Sequence, residues 1–253
     1  MHRFSRTEML LGPANLARLR AARVAVVGLG AVGSYAVEGL ARAGVGGLRL
    51  VDFDVIRPSN INRQLYALDS TVGRRKVDVA AERVRDINPD CQVETLCLFA
   101  DRATAPQILA PPLDAAIDAI DSLAPKVALL AAALQAGVPI VSSMGAATRL
   151  DYRCIRVADL AETSVCPLAR LVRKRLKKLG LGGGVTCVYS VEPPAVGVAG
   201  AGEPAAEEAE AAPRGRRRRP LGSLSCLTGM FGLIAAHEAL RRIVPTERPA
   251  AKP

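Results

Sequence analysis

The sequence predicts an α/β fold, a doubly wound and mostly parallel β-sheet with helices on both faces, followed by a mixed C-terminal extension. Two observations carry that prediction. Short apolar runs and helical patterns alternate from Val24 to Ser143, and such alternation builds right-handed crossovers between parallel strands. The first of these units holds Gly28-Leu-Gly30-Ala-Val-Gly33 between its strand and its helix, which is the G-x-G-x-x-G spacing of a Rossmann-like nucleotide turn.

Taken in order, Thr7 to Ala21 reads as a helix despite Gly12 and Pro13, with Leu10, Leu11, Leu16 and Leu19 available for burial. Val24 to Val27 is the run of a buried parallel strand. Ala31 to Ala43 is a helix with Gly44 as its C-cap. Leu48 to Val51 is the second strand and delivers Asp52, about 20 residues after the last glycine, where such folds place a ribose-binding acid. A polar loop, Arg57 to Gln64, is too long and too particular in composition for a simple turn. Gly73-Arg-Arg-Lys76 opens a helix to about Ile87, which Asn88-Pro89 stops. Gln92 to Leu98 is a strand, Ala103 to Leu109 a weak helix, and Leu113 to Ile120 a strand ending in Asp121-Ser122. Pro125 to Ala136 is a helix closed by Gly137, and Pro139 to Ser143 is the next strand.

The pattern changes after that. Arg153 to Val157 and Val185 to Val191 read as strands, and Leu168 to Leu179 as a helix. In that helix Arg170, Arg173, Lys174, Arg175, Lys177 and Lys178 are basic, none is acidic, and Leu168, Leu171, Val172, Leu176 and Leu179 are left for burial. Ala195 to Pro213 has little to bury and reads as a disordered loop, followed by Arg214 and Arg216 to Arg219. Leu224 to Arg242 reads as a packed strand or turn plus helix. The expected organisation is a nucleotide-binding core over residues 1–150, an extension packed on it over 151–244, and a tail from 245 to 253.

Composition narrows the class. Half the residues are hydrophobic, aromatics make up 3% and Trp is absent, so the core must be Ala, Val, Leu and Ile. Lys plus Arg exceed Asp plus Glu by 34 to 24, a formal charge of +10. That favours anionic partners such as nucleic acid, nucleotide phosphates or acidic proteins, although an Arg-rich host composition gives the same excess. Six cysteines, at 91, 97, 154, 166, 187 and 226, include no C-x-x-C pair, and only His2 and His237 accompany them. No structural zinc site is expected. No secretory apolar segment follows Met1, so reduced thiols in a cytoplasmic protein are expected. Leu221 to Ala236 is uncharged and mostly apolar but shorter than the ~20 residues of a membrane span, and reads as a buried segment.

The charged residues suggest a chemistry. The glycine turn with Arg63 and Lys76 could neutralise a triphosphate, Asp121 could hold Mg²⁺ on it, and Asp52 could take the ribose hydroxyls. Hydride transfer to a nicotinamide needs no such set, whereas phosphoryl or nucleotidyl transfer does, because catalysis there is mostly positioning and charge stabilisation. Cys166, just before a helix, could hold a stabilised thiolate; the simpler reading of Cys166 and Cys187 is small buried hydrophobes.

Gly28-Leu-Gly30-Ala-Val-Gly33, Asp52-Phe-Asp54, Ser59-Asn60-Ile-Asn62-Arg63-Gln64, Gly73-Arg-Arg-Lys76 and Ala119-Ile-Asp121-Ser122 together resemble the adenylation domain of the ubiquitin-activating-enzyme superfamily. The resemblance spans residues 6 to 145. It implies that superfamily's parallel sheet, a homodimer, and attack of a substrate carboxylate on the α-phosphate of ATP to give an acyl-adenylate and pyrophosphate. It makes Asp52 the ribose ligand, Asn60, Arg63 and Lys76 phosphate ligands, and Asp121 the Mg²⁺-linked acid. Asp54, Gln64 and Ser122 join the ATP site as parts of the same motifs. Arg6 matches an arginine that reaches the triphosphate of the neighbouring subunit.

The second half, through Val157-Ala-Asp-Leu-Ala-Glu-Thr163, Pro167-Leu-Ala, Cys187-Val-Tyr-Ser190-Val-Glu192 and Leu221-Gly-Ser-Leu-Ser225 to Phe231-Gly232, is similar to the tRNA threonylcarbamoyladenosine dehydratase branch. That branch adenylates the threonylcarbamoyl carboxylate on the adenosine beside the anticodon, and the group then cyclises with loss of AMP. Intramolecular closure needs no zinc and no obligatory enzyme thiol. A tRNA substrate would use the basic helix, Arg170, Arg173, Lys174, Arg175, Lys177 and Lys178. Two alternatives stay open: activation of a small sulfur-carrier protein, with sulfur-transfer partners, and a nicotinamide-dependent reductase or nucleotide sensor.

Overall fold

The computed structural model describes residues 2–194 and 221–244; the expected loop at 195–213, Arg214, Arg216 to Arg219 and the tail from 245 lie outside them. The N-terminal helical run is broken in two, α1 (Ser5–Leu11) and α2 (Pro13–Ala21). Gly12 takes a φ of +83° at the break and Pro13 begins α2, because proline suits a helix start and not its interior. Leu16 and Leu19 are buried as expected, but Leu10 is 83% exposed.

The core alternates strand and helix: β1 (Arg23–Val27), α3 (Gly33–Ala43), β2 (Gly47–Val51), α4 (Lys76–Ile87), β3 (Gln92–Leu96), α5 (Ala105–Ile108), β4 (Ala115–Asp118), α6 (Leu123–Ala136) and β5 (Ile140–Ser143). Glycines in the left-handed conformation, Gly44 and Gly137, end α3 and α6. β6 (Ile155–Asp159), α7 (Pro167–Lys178), β7 (Thr186–Ser190) and α8 (Ser225–Ile243) follow. The strands form one sheet in the order β3-β2-β1-β4-β5-β7-β6. Every pairing is parallel except β6 with β7, so the mixed part is the last strand pair, added to the edge of the parallel sheet.

Successive residues of β1 serve opposite faces. Val24 and Val26 join the cluster under α3, α4 and α8, while Ala25 and Val27 join the one under α5, α6 and α7. This is the period-2 logic of a strand covered on both sides. From Ser225 on, the segment expected to be buried over 221–236 is a helix with two faces. Leu227, Phe231, Ala235 and Ala236 are buried, whereas Leu224 and Leu233 are exposed. α8 lies tightly on α3, and a Cβ at Gly232 would stand 2.2 Å from the Val32 carbonyl oxygen. Among the described residues no helix is long and apolar enough to cross a membrane.

Candidate active site

In-register pairing of Val27 with Val51 and with Asp118 brings the carboxyl ends of β1, β2 and β4 level, so Gly28, Asp52 and Ala119 leave the sheet side by side. Ligands of open α/β sheets sit beyond such ends. The three motif glycines there have different tasks. Gly28 has a φ of +89°, and a Cβ on it would lie 2.9 Å from the Ala119 carbonyl oxygen. A Cβ on Gly33 would lie 1.7 Å from the Gly28 carbonyl oxygen. These two let the turn close on itself. Gly30 meets only the Gln64 side-chain amide, at 3.8 Å, so its missing side chain keeps open the face of the turn that leads into α3.

Asp52 is buried, and its carboxylate accepts hydrogen bonds from the backbone N–H of Leu29 (2.7 Å) and of Asp54 (2.9 Å). It therefore shapes the glycine turn as well as ending β2. Burial pushes its carboxyl above the usual value, and Lys76 with the two backbone donors pulls it back only in part. Lys76 is buried at the start of α4, with its ammonium 3.1 Å from the Asp54 carboxylate. A short clip places it there: Lys76 N–H donates to the Asp54 carbonyl, Ile56 N–H to the Arg74 carbonyl and Gly73 N–H to the Ile56 carbonyl. Lys76 therefore belongs to the core as well as to the crevice.

The polar loop folds over the same crevice. Asn60 is buried and its side-chain oxygen accepts from the Arg57 N–H, while Gln64 is buried beside Gly30. The Arg63 guanidinium donates to the Ser59 carbonyl and the Asn62 side chain, at 2.7 Å each. Asp121 and Ser122 lie in the turn beyond β4, with the Ser122 hydroxyl 3.4 Å from the Asp121 carboxylate.

Asp121 is not the strand-end acid. β4 stops at Asp118, because the Asp118 carboxylate accepts the Ile120 N–H and bends the chain there. Asp118 is fully buried. It meets Lys126 Nζ at 2.5 Å and the Ser142 hydroxyl at 2.6 Å, and Lys126 also donates to the Ser143 carbonyl. Sequence reasoning missed this network, which supports the turn carrying Asp121. Its signal was Lys126, the one charge in an otherwise apolar helix, since buried charges require partners.

Two expected site features lie elsewhere. Phe4 packs on Gly44, at the end of α3 opposite the glycine turn, so Arg6 on α1 stands away from its own chain's crevice. On α7, Ala169, Val172 and Leu176 are buried, while Leu171 and Leu179 are exposed and serve no core. Arg173 is half-buried and donates to the Leu160 carbonyl and to the carbonyl and hydroxyl of Thr163. It braces a turn, which corrects its expected place in a free basic face. That turn follows Asp159, the partner of Thr186 at the start of β7. The basic end of α7 therefore points to the sheet edge opposite the crevice. Cys166 and Cys187 are both buried, and burial pushes the Cys187 thiol far up, so Cys187 has no thiolate character.

A family model described as ThiF family matches residues 4–253. The chain belongs to the ThiF family. Within that family it is 44% identical over 196 residues to the tRNA threonylcarbamoyladenosine dehydratase of Bacillus subtilis, covering 78% of this chain and 77% of that one. Two solved structures of the Escherichia coli enzyme of the same name superpose on this ThiF-family chain. The ATP complex has a TM-score of 0.85 and the AMP complex 0.84. Each is 36% identical and covers 96% of this chain and 94% of the other.

Proposed function

We propose that this chain is an ATP-dependent tRNA threonylcarbamoyladenosine dehydratase. The observation that carries the reading is the near-complete superposition on a dehydratase holding ATP, with the glycine turn, Asp52 and Lys76 gathered at one sheet end. The glycine turn and the start of α3 receive the phosphates, and Asp52 at the end of β2 receives the ribose. Asn60, Arg63 and Lys76 neutralise the triphosphate as the substrate carboxylate attacks the α-phosphate and pyrophosphate leaves. The acyl-adenylate of the threonylcarbamoyl group then closes on itself and releases AMP.

Among the described residues no group of three or more His, Cys, Asp or Glu side chains gathers as a metal site of its own. A Mg²⁺ carried on the triphosphate fits that donor set, because this cation typically takes one or two carboxylates plus phosphate oxygens. Asp121 would hold it, and it would supply charge neutralisation. The exposed basic residues of α7 take phosphates of the tRNA body, and Arg6 reaches the triphosphate of a second copy of the chain. Mass spectrometry of nucleosides from threonylcarbamoyl tRNA after incubation with ATP tests the reading. The expected product has lost one water and appears with AMP. An unchanged nucleoside, or adenylation of a sulfur-carrier protein instead, overturns it.

A further inference from the structure

We propose that Arg149 binds the substrate carboxylate that becomes adenylated, and so is a specificity-determining residue for the proposed reaction on which this inference rests. The Arg149 side chain is 3% exposed, and its Nε and one terminal nitrogen have no hydrogen-bond partner among the described residues. A guanidinium is always charged and carries five donors. Leaving them unpaired away from water is costly, and such groups are rare in folded proteins. Two acids of the adjoining segments have other partners. Glu192 accepts from the backbone N–H groups of Leu150 and Asp151, and Asp151 pairs with Arg153.

Position points to the missing partner. Arg149 follows β5, so it leaves the sheet at the crevice end. Thr148, just before it, has a φ of +61° and donates its N–H to the Gly222 carbonyl, and the Ser223 carbonyl next in the chain accepts from Asn62. The Arg149 segment is thereby tied to the polar loop that carries Arg63. The sheet order β2-β1-β4-β5 then lines up four functions: ribose at Asp52, phosphates at the glycine turn, Asp121, and Arg149. β5 is two strand spacings, about 10 Å, from β1. In the proposed binding mode Arg63 and Lys76, both after β2, hold the triphosphate from that side, which leaves the β4 and β5 side for the acyl group that attacks the α-phosphate. A planar guanidinium there matches a carboxylate in bidentate geometry, and fixing that group sets the attack distance.

The test uses full-length protein with Arg149→Met and Arg149→Lys. Affinity is measured for threonylcarbamoyl tRNA, for the same tRNA with unmodified adenosine, and for ATP, alongside turnover and Tm. The wild type is expected to prefer the modified tRNA. Arg149→Met should reduce that preference about tenfold or more, with ATP affinity and Tm unchanged, and Arg149→Lys should recover part of it. A preference that stays intact overturns the proposal. So does weakened ATP binding with the tRNA preference intact, which assigns Arg149 to the triphosphate, and so does a fall in Tm without loss of preference, which makes it structural. Wild-type protein that leaves the modified tRNA unchanged overturns the functional reading itself and takes this assignment with it.

Discussion

Single side chains here divide into those that hold the crevice and those that act in it. Arg63 sits on a surface loop, and its guanidinium donates to its neighbours Ser59 and Asn62. Arg63→Ala should lower turnover by about 10³-fold or more, as loss of a transition-state charge stabiliser does, with Tm unchanged; ATP–pyrophosphate exchange at the wild-type rate would refute the role. Lys76→Ala should lose activity similarly and also lose stability, since Lys76 is buried against Asp54 and its charge favours ionised Asp52. Asp52 has a folded pKa above its ordinary 3.8, so its ionised form destabilises the fold, and losing Lys76 raises that cost. The stability deficit of Lys76→Ala should be largest near neutral pH and shrink as pH falls towards 3.8, read by denaturant titration. Lys126 is a purely supporting case. Lys126→Met strands the fully buried Asp118 carboxylate and should cost about 3–5 kcal/mol of stability; a Tm close to wild type would show that Asp118 finds another partner.

Elements were legible in the sequence where their causes are local. The glycine turn, the β-branched run of β1 and Gly44 act within a few residues, so most strands and helices to β5 could be read directly, whereas the break at Gly12-Pro13 reads in sequence as one continuous helix. Causes spread over distant residues could not. The burial of Lys76 depends on a clip between residues 54–56 and 73–76, and the end of β4 on a carboxylate fixed by Lys126 and Ser142. The run over 221–236 reads in sequence only as a buried apolar segment, because the two glycines in it, Gly229 and Gly232, make sense only against Tyr35 and Val32 of the α3 start. Helix α7 shows the same limit: six basic residues look equivalent in one dimension, yet Arg173 is bound to the Leu160–Thr163 turn. Reversal of Arg170, Lys174 and Lys177 to Glu, sparing Arg173, should weaken tRNA binding and flatten its salt dependence while ATP affinity holds. Unchanged affinity across salt concentrations would leave α7 as a solvated face.

At the scale of the molecule, the crevice is built from strand ends, a loop and helix starts that must all be in place together. The position of Arg6, at the edge away from its own crevice, makes a shared site a testable property. Mixing Arg6→Ala with Arg63→Ala protein should restore part of the activity if each subunit completes the other's site, and no recovery despite shown subunit exchange would place Arg6 outside it. A second test addresses the contact of α8 with α3. Gly232→Ala forces a methyl toward the Val32 carbonyl, and overpacking of that kind typically costs about 1–3 kcal/mol; the variant should melt earlier and bind ATP more weakly, because Val32 immediately precedes α3. That contact also has a consequence for how the protein is made. Residues 225–243 leave the ribosome after everything they rest on, so a nascent chain carries a complete glycine motif before it carries the helix that clamps it. Folding that proceeds from the first-made segments would reach the nucleotide-competent shape only when α8 docks, and ATP would then distinguish finished chains from those still being synthesised.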